Sequence, residues 1–306
     1  MIVAKNTEEI THCSGLMATI GFFDGVHLGH RFLIREMQEA ARVRRLPTAV
    51  ITFLRHPRMV MQADYQPKLL NSLDERVAHL ADTGVDYCIL LDFTLEMSQL
   101  TAEAFIRILH RQWRIGALFT GYDHRFGHDR RDGFEQYVNY AAACGMEVLE
   151  APRFTENGVA VSSSEIRKQL ALGKVDTAAR LLTYPYQLKG HVVQGNKIGR
   201  TLGYPTANIQ IDDPFKLIPR TGVYAVRVAW KGQEYQGMLY TGRRPTLAPG
   251  GALTTEVHMP DFQGGDIYTD EISVSFTHYM RGDIRFHSLE DLKEQLKKDA
   301  AILRSY

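Results

Sequence analysis

Cysteine, unbroken apolar runs and charge of one sign are all scarce in this chain, and each scarcity excludes something. The three cysteines, Cys13, Cys88 and Cys144, are scattered, odd in number and without C-x-x-C spacing, which argues against a disulfide framework and against a zinc site. No stretch approaches the roughly 18 consecutive apolar residues of a membrane span. The opening Met1 to Asn6 lacks a signal-peptide pattern, so a soluble protein of the reducing cytoplasm, with no membrane partner, is expected. Basic residues number 36 against 35 acidic ones, a formal net charge of +1. Without a sequence-wide basic field, a long nucleic-acid partner is not expected. Repeats and disorder are not needed either: at 306 residues, 44% hydrophobic and 23% charged, the chain is long enough for two domains with proper cores.

What is present begins with Gly21-Phe22-Phe23-Asp24-Gly25-Val26-His27-Leu28-Gly29-His30. It sets two histidines three apart where the apolar run Leu16 to Ile20 gives way to a helical pattern carried by Phe32, Leu33, Met37, Ala40 and Ala41. Such a turn lies at the carboxyl edge of a sheet. A helix N-terminus there offers free N–H groups and a positive dipole end to phosphate oxygens, and Gly25 and Gly29 have no side chain to hold those oxygens away. Two imidazoles can donate to charge building on bridging and leaving oxygens, with no covalent intermediate. Taken singly, each histidine would more often be an ordinary helix-start residue. The H-x-G-H set behind G-x-F-D-G is more specific, and it resembles the signature of the nucleotidyltransferase superfamily with its Rossmann-like fold.

From residue 16 to about 184, short apolar runs alternate with amphipathic helices, the pattern of a parallel sheet with covering helices. Strands are predicted at Thr48 to Phe53, Tyr87 to Phe93, Ala117 to Tyr122 and Glu147 to Ala151, and helices at Thr101 to Trp113 and Gly133 to Cys144, with Gly145 as a stop. Ser162-Ser163-Ser164-Glu165 is a capping-box pattern opening a short helix that Gly173 closes, and another helix runs from Val175 to Leu182. After Pro185 the pattern becomes strand-like: Gln187 to Val193, Gly222 to Trp230, Glu234 to Tyr240, Thr254 to Met259 and Glu271 to Tyr279, with Lys231-Gly232 reading as a hairpin turn. This half reads as a small antiparallel β-barrel. A C-terminal helix from Ser288 to Arg304 puts Leu289, Leu292, Leu296, Ala300 and Leu303 on one face, against the barrel. Residues 1–184 and 185–306 are therefore the expected domains.

The second unusual stretch, Gly195 to Asn208, is not a Walker loop. Gly195, Gly199 and Gly203 let backbone approach phosphate, Arg200 adds a cation, and Pro205 stiffens the exit. Thr206 and Asn208, two apart in an extended segment, face the same side. A hydroxyl and an amide oxygen are hard ligands suited to Mg²⁺ beside nucleotide phosphates. The alternative is a glycine-rich turn leading into the strand Ile209 to Ile211. Glu256, in Thr255-Glu256-Val257-His258-Met259, is a carboxylate in an apolar-flanked strand, either a base or a solvated strand position.

Together and in this order, the two motifs resemble the bacterial bifunctional riboflavin kinase/FMN adenylyltransferases, also called FAD synthetases. The resemblance covers essentially the whole chain. It includes Gly21 to His30, Thr52 to Pro57, Gly121 to Gly127, Ser162 to Arg167, Gly199 to Asn208, Gly222 to Tyr224, Gly242 to Thr246, Glu256 and Phe286 to Asp299. It implies phosphorylation of riboflavin to FMN with Mg²⁺ and ATP in the second half, then transfer of AMP from ATP to FMN, giving FAD, in the first. By the same resemblance His27 and His30 contact the ATP phosphates, with Gly21, Phe22, Asp24, Gly25 and Gly29 around them and Ser162, Ser163 and Arg167 completing the nucleotide site. Asp123 lies near the reacting groups. His56, Pro57, Asp123 and Arg281 are implied as flavin contacts, Thr206 and Asn208 as Mg-ATP ligands, and Glu256 as base toward the ribityl 5′-hydroxyl.

The chain also departs from the family's pattern. Arg55 replaces a usual proline, His124 a usual phenylalanine, Tyr240-Thr241 a common Asn-Ile, and Thr269 a usual glycine. These changes point to altered flavin packing or kinetics with the phosphate-handling residues untouched. His124 and His128 stand four apart, but Gly127 and the charged run around them read as a loop instead of a metal-binding helix. Two rival readings remain at this point: a chain with only the kinase active, and a non-catalytic flavin-sensing protein.

Overall fold

A computed structural model describes residues 1–10, 15–121, 125–127, 132–155, 161–195, 199, 202–243 and 253–306. Asp123, His124, His128 and Arg200 lie outside the described residues. By its contacts the chain divides into two units, Met1–Ser162 and Ser163–Tyr306.

The first unit is a six-stranded parallel sheet of β1 (Ile2–Ala4), β2 (Leu16–Ile20), β3 (Thr48–Phe53), β4 (Tyr87–Leu91), β5 (Ile115–Thr120) and β6 (Glu147–Glu150), in the order β1-β4-β3-β2-β5-β6. Between them run α1 (Leu28–Arg44), α2 (Pro57–Met61), α3 (Leu73–Ala81), α4 (Leu95–Ser98), α5 (Ala102–Trp113) and α6 (Phe134–Ala142). Every residue of β2, β3 and β4 is buried, as expected where helices cover both faces of a parallel sheet. Leu16, Ala18 and Ile20 meet Ile106, Leu109 and Trp113 of α5 on one face, while Met17 meets Ile34 and Met37 of α1 on the other. The strand expected to reach Phe93 ends at Leu91, because Phe53↔Leu91 is the last rung it shares with β3. β1 was not expected. It has three residues, too few for a readable period, and exists through its pairing with β4 at Ile2↔Tyr87. After β4 the chain returns to the other side of β2 to lay down β5, so the connections leaving the carboxyl ends of β2 and β5 diverge and open a crevice.

The second unit opens with α7 (Ser163–Ala171) and α8 (Val175–Leu182). A closed antiparallel barrel follows, built from β7 (Gln187–Val193), β8 (Thr206–Ile211), β9 (Gly222–Trp230), β10 (Gln233–Arg243), β11 (Leu253–His258) and β12 (Glu271–Arg281), and then α9 (Leu289–Leu303). The change of periodicity falls at Pro185, whereas the contacts divide after Ser162. The helix pair stays with the barrel: the Arg220 N–H donates to the Leu170 carbonyl at 3.0 Å, and Gly173 lies against the Tyr279 ring. A helical period does not tell which sheet a helix will cover. At the β9–β10 hairpin, Lys231 (φ 47°) and Gly232 (φ 79°) both take the left-handed conformation a two-residue turn requires.

α9 meets the barrel at its end. Leu303 and Ala300 pack with Ala225 and Met238, while Leu289, expected on that face, is 55% exposed. The stripe instead includes the buried Asp299, which accepts from Arg281 Nε at 3.0 Å and from its terminal nitrogen at 2.7 Å. One polar pair therefore replaces part of the expected apolar contact.

Candidate functional site

In the first unit the G-F-F-D-G-V-H-L-G-H segment fills the turn from β2 into α1, at the mouth of the crevice. Its backbone is constrained: Phe23 (φ 54°), Gly25 (φ 86°) and Val26 (φ 36°) are left-handed. For a β-branched valine this conformation is rare and persists only where packing enforces it. Val26 and Phe23 are buried, the Val26 N–H donates to Phe23 O at 3.1 Å, and Arg31 Nε donates to Val26 O at 3.1 Å. Thr52 Oγ1 adds a 3.0 Å bond to Phe22 O. Asp24 is a buried anchor: its carboxylate accepts from the backbone N–H groups of Leu70 at 2.9 Å and Asn71 at 3.2 Å.

His27 is the N-cap of α1, its Nδ1 accepting from the His30 N–H at 3.4 Å. With Nδ1 accepting, the proton of the His27 ring lies on Nε2, which makes that nitrogen a donor. The two imidazoles stack at 3.6 Å, and Phe23 meets the edge of His30 at 5.0 Å. Burial, then the neighbouring His27, hold the His30 pKa well below 6.5, so His30 is neutral at pH 7. A Cβ at Gly29 would stand 3.2 Å from the Val161 carbonyl and 3.3 Å from the His27 ring. That close approach sets the Val161 carbonyl against the motif, next to Ser162 in the chain.

His56 caps α2, with Pro57 at its first turn, and its Nδ1 accepts from the Arg58 N–H at 3.1 Å. Its ring meets Phe22 at 4.6 Å, which ties it to the same motif. Arg55 extends away to an exposed pair with Asp92 at 3.4 Å. Arg76 went unnoticed in the sequence. It is buried, lies 4.1 Å over the Phe22 ring and donates to Phe53 O at 2.5 Å, and burial lowers its pKa to about 10 against the pull of Asp24. The signal was available, because Arg76 falls on the α3 stripe of Leu73, Val77 and Leu80 at helical spacing.

In the second unit, β8 and β11 gather the other expected residues. The register pairs Asn208 with Glu256 and Thr206 with His258, and the Thr206 hydroxyl donates to Glu256 Oε2 at 3.3 Å. A Cβ at Gly195 would overlap the Asn208 amide, and one at Gly199 would overlap the Tyr204 carbonyl. Gly203 is left-handed (φ 85°), and the Tyr204 N–H returns to Gly199 O at 2.8 Å. Gly195 thus lies close against Asn208, and Gly199 against Tyr204 and Thr206. Arg281, expected at the flavin, donates from Nε and one terminal nitrogen to Asp299 and from the other terminal nitrogen to Gly282 O. Ser163 and Arg167 stand on α7, in this second unit.

A parallel α/β sheet with H-x-G-H at its crevice, joined in one chain to a closed barrel bearing a hydroxyl, amide and carboxylate set, defines a two-part nucleotide-using transferase. Residues 9–165 match the family model described as FAD synthetase, and residues 182–306 match that described as Riboflavin kinase. The bifunctional riboflavin kinase/FMN adenylyltransferase of Listeria monocytogenes is 35% identical over 301 residues, 98% of this chain and 95% of that protein. The protein of the same name from Escherichia coli is 37% identical over 294 residues, 95% and 93% of the two chains. A crystal structure described as a macrolide-efflux protein from Streptococcus pneumoniae matches with a TM-score of 0.89 at 33% identity, over 100% of this chain and 99% of that one. Among the described residues no helix is long and apolar enough to cross a membrane. The chain belongs to the bifunctional riboflavin kinase/FMN adenylyltransferase family.

Proposed function

We propose that residues 185–306 transfer the terminal phosphoryl group of ATP to the ribityl 5′-hydroxyl of riboflavin, giving FMN and ADP. Residues 1–184 then transfer AMP from a second ATP to FMN, giving FAD and pyrophosphate. The observation that carries this reading is the convergence of Thr206, Asn208 and Glu256 on adjacent barrel strands, in a chain that also places stacked His27 and His30 at the crevice of a nucleotide-type sheet.

In the first reaction Glu256 accepts the proton of the attacking hydroxyl, with its carboxylate oriented by Thr206. Thr206 and Asn208 are the residues to hold Mg²⁺. Their hard oxygens, beside a glycine cradle that a Cβ would fill, fit an ion that favours few protein ligands and retains water and phosphate. Bound there, Mg²⁺ neutralises phosphate charge. In the second reaction His27 donates through Nε2 to phosphate oxygens as charge builds on them, and the free N–H groups at the start of α1 receive the remaining charge. Ser162 adds a hydroxyl to that site. His56 and Pro57 border it on the flavin side. Neither reaction needs an enzyme nucleophile, so positioning and charge neutralisation supply the rate.

The test is incubation of purified protein with riboflavin, ATP and Mg²⁺, followed by chromatographic separation of riboflavin, FMN and FAD. FAD is expected. Arrest at FMN would leave a kinase alone, and no conversion would leave a binding protein.

A further inference from the structure

Tyr240 stands next to Glu256 in a single row across the barrel. The register pairs Tyr240 with Glu256 on one side and Val223 on the other, and Glu256 in turn with Asn208. Directly paired residues of an antiparallel sheet project to the same face, so the phenol shares a face with the proposed base and the proposed Mg²⁺ ligand. Its own strand makes room for it: a Cβ at Gly242 would overlap the Tyr240 hydroxyl, so the ring runs along β10 over that glycine. Beyond Gly242 the hydroxyl donates to Asp283 Oδ1 at 3.2 Å.

Asp283 belongs to the connection between β12 and α9, residues 282–288. That connection is already tied at its start, where Arg281 bonds Asp299 and the Gly282 carbonyl. The Tyr240 bond is a second tie, made by the residue that the register pairs with Glu256. Burial first, then Asp283 and Glu256, raise the phenol pKa to about 12 against the opposing Arg281. The hydroxyl therefore remains a donor to Asp283 throughout the neutral range.

We propose that Tyr240 is a positioning residue for the phosphoryl acceptor: through Asp283 it holds the 282–288 connection beside Glu256, as a preformed wall of the site that receives the hydroxyl-bearing chain of the substrate. The inference rests on the kinase reading of the second unit. A connection ordered before substrate arrives costs less to order on binding. Its loss should therefore weaken acceptor binding and leave the chemical step alone, raising KM at nearly constant kcat.

The experiment uses the full chain with Tyr240→Phe, which keeps the ring and deletes the bond, with Asp283→Ala, and with the double variant. Amide hydrogen exchange in residues 282–288 should quicken roughly three- to tenfold in either single variant. The KM for riboflavin should rise by a similar factor, with kcat within twofold and FAD formation from supplied FMN unchanged. The double variant should be no worse than the singles, because both remove one interaction. Unchanged exchange in Tyr240→Phe, in a wild-type chain that makes FMN, overturns the tie. Additive defects, or a fall in kcat at constant KM, overturn the positioning role. Wild-type protein that makes no FMN overturns the kinase reading instead, and the acceptor role with it.

Discussion

The imidazole rings of His27 and His30 lie face to face, 3.6 Å between centroids and 15° from parallel. Two cations would repel strongly at that separation, and His30, held neutral by burial and by His27, avoids that repulsion. Replacing either ring by alanine should lower FAD formation from supplied FMN by roughly 10²-fold or more, as for loss of a preorganised donor. FMN formation from riboflavin should stay within twofold, because Glu256 and its neighbours belong to the other unit. Chromatography of the two half-reactions measures this, and equal loss of both in a folded variant would refute the assignment.

The same burial gives the first unit a pH-dependent stability. The His30 pKa is held well below 6.5, and that of His79 is lowered too, in both cases chiefly by burial. As pH falls below the ordinary value of 6.5, the unfolded chain takes up protons that these folded rings resist. Stability is then lost progressively towards the folded pKa values. Melting temperature should drop between pH 7.5 and 5.5, and His30→Gln should flatten the dependence while His79 retains part of it. A slope unchanged by His30→Gln would count against a His30 held neutral in the folded chain.

Glu256→Gln keeps size and shape but cannot accept the hydroxyl proton. If Glu256 is the base, kcat for FMN formation should fall by roughly 10² to 10⁴ with little change in flavin or ATP binding. Steady-state kinetics and equilibrium binding separate the outcomes. Near-normal kcat would sink the base role, and a loss confined to flavin affinity would recast Glu256 as a positioning group.

Thr269 holds φ at 68°, a left-handed conformation costly for a branched side chain, and its N–H donates to Val192 O at 2.8 Å. Thr269→Gly relieves that strain but frees the unfolded chain, so a net gain of about 0.5–1 kcal/mol is expected, read from denaturant midpoints. A loss of stability would mean that the threonine side chain contributes contacts outweighing its strain.

Ile166, Leu170, Val175, Ala178 and Leu182, on α7 and α8, are all fully buried. A fragment of residues 163–306 should therefore retain kinase activity and melt at least about 5 °C above one of residues 185–306. Calorimetry of the two fragments decides the matter, and equal melting temperatures would place the working boundary at 184.

Local patterns made much of this protein legible in its sequence. β3 was readable at Thr48–Phe53, β7 at Gln187–Val193 and β9 at Gly222–Trp230, because burial imposes a run or an alternation that a short window contains. α8 at Val175–Leu182 was readable for the same reason, as were the glycine stops Gly145 (φ 82°) and Gly173 (φ 79°). The gathering of Thr206, Asn208 and Glu256 was legible only in part. Spacing put the first two on one side, but nothing local could bring a carboxylate 50 residues away within 3.3 Å of the threonine.

By itself, then, the sequence determined most of the longer strands and helices, the turn that carries H-x-G-H and the change from parallel-sheet to barrel periodicity, while the short β1, α2 and α4 and the helix α3 were not read from it; what was legible follows from backbone sterics and burial within a few residues. Tertiary structure alone decided which groups meet. It set Arg76 over Phe22, committed Arg281 to the buried Asp299, gave Tyr240 its partner in Asp283 and grouped α7 and α8 with the barrel. The same distinction applies to the ionisation of His30, whose carbon and nitrogen are those of any histidine. Its neutrality comes from burial and from a second imidazole stacked on it, and those are properties of packing that no local pattern encodes.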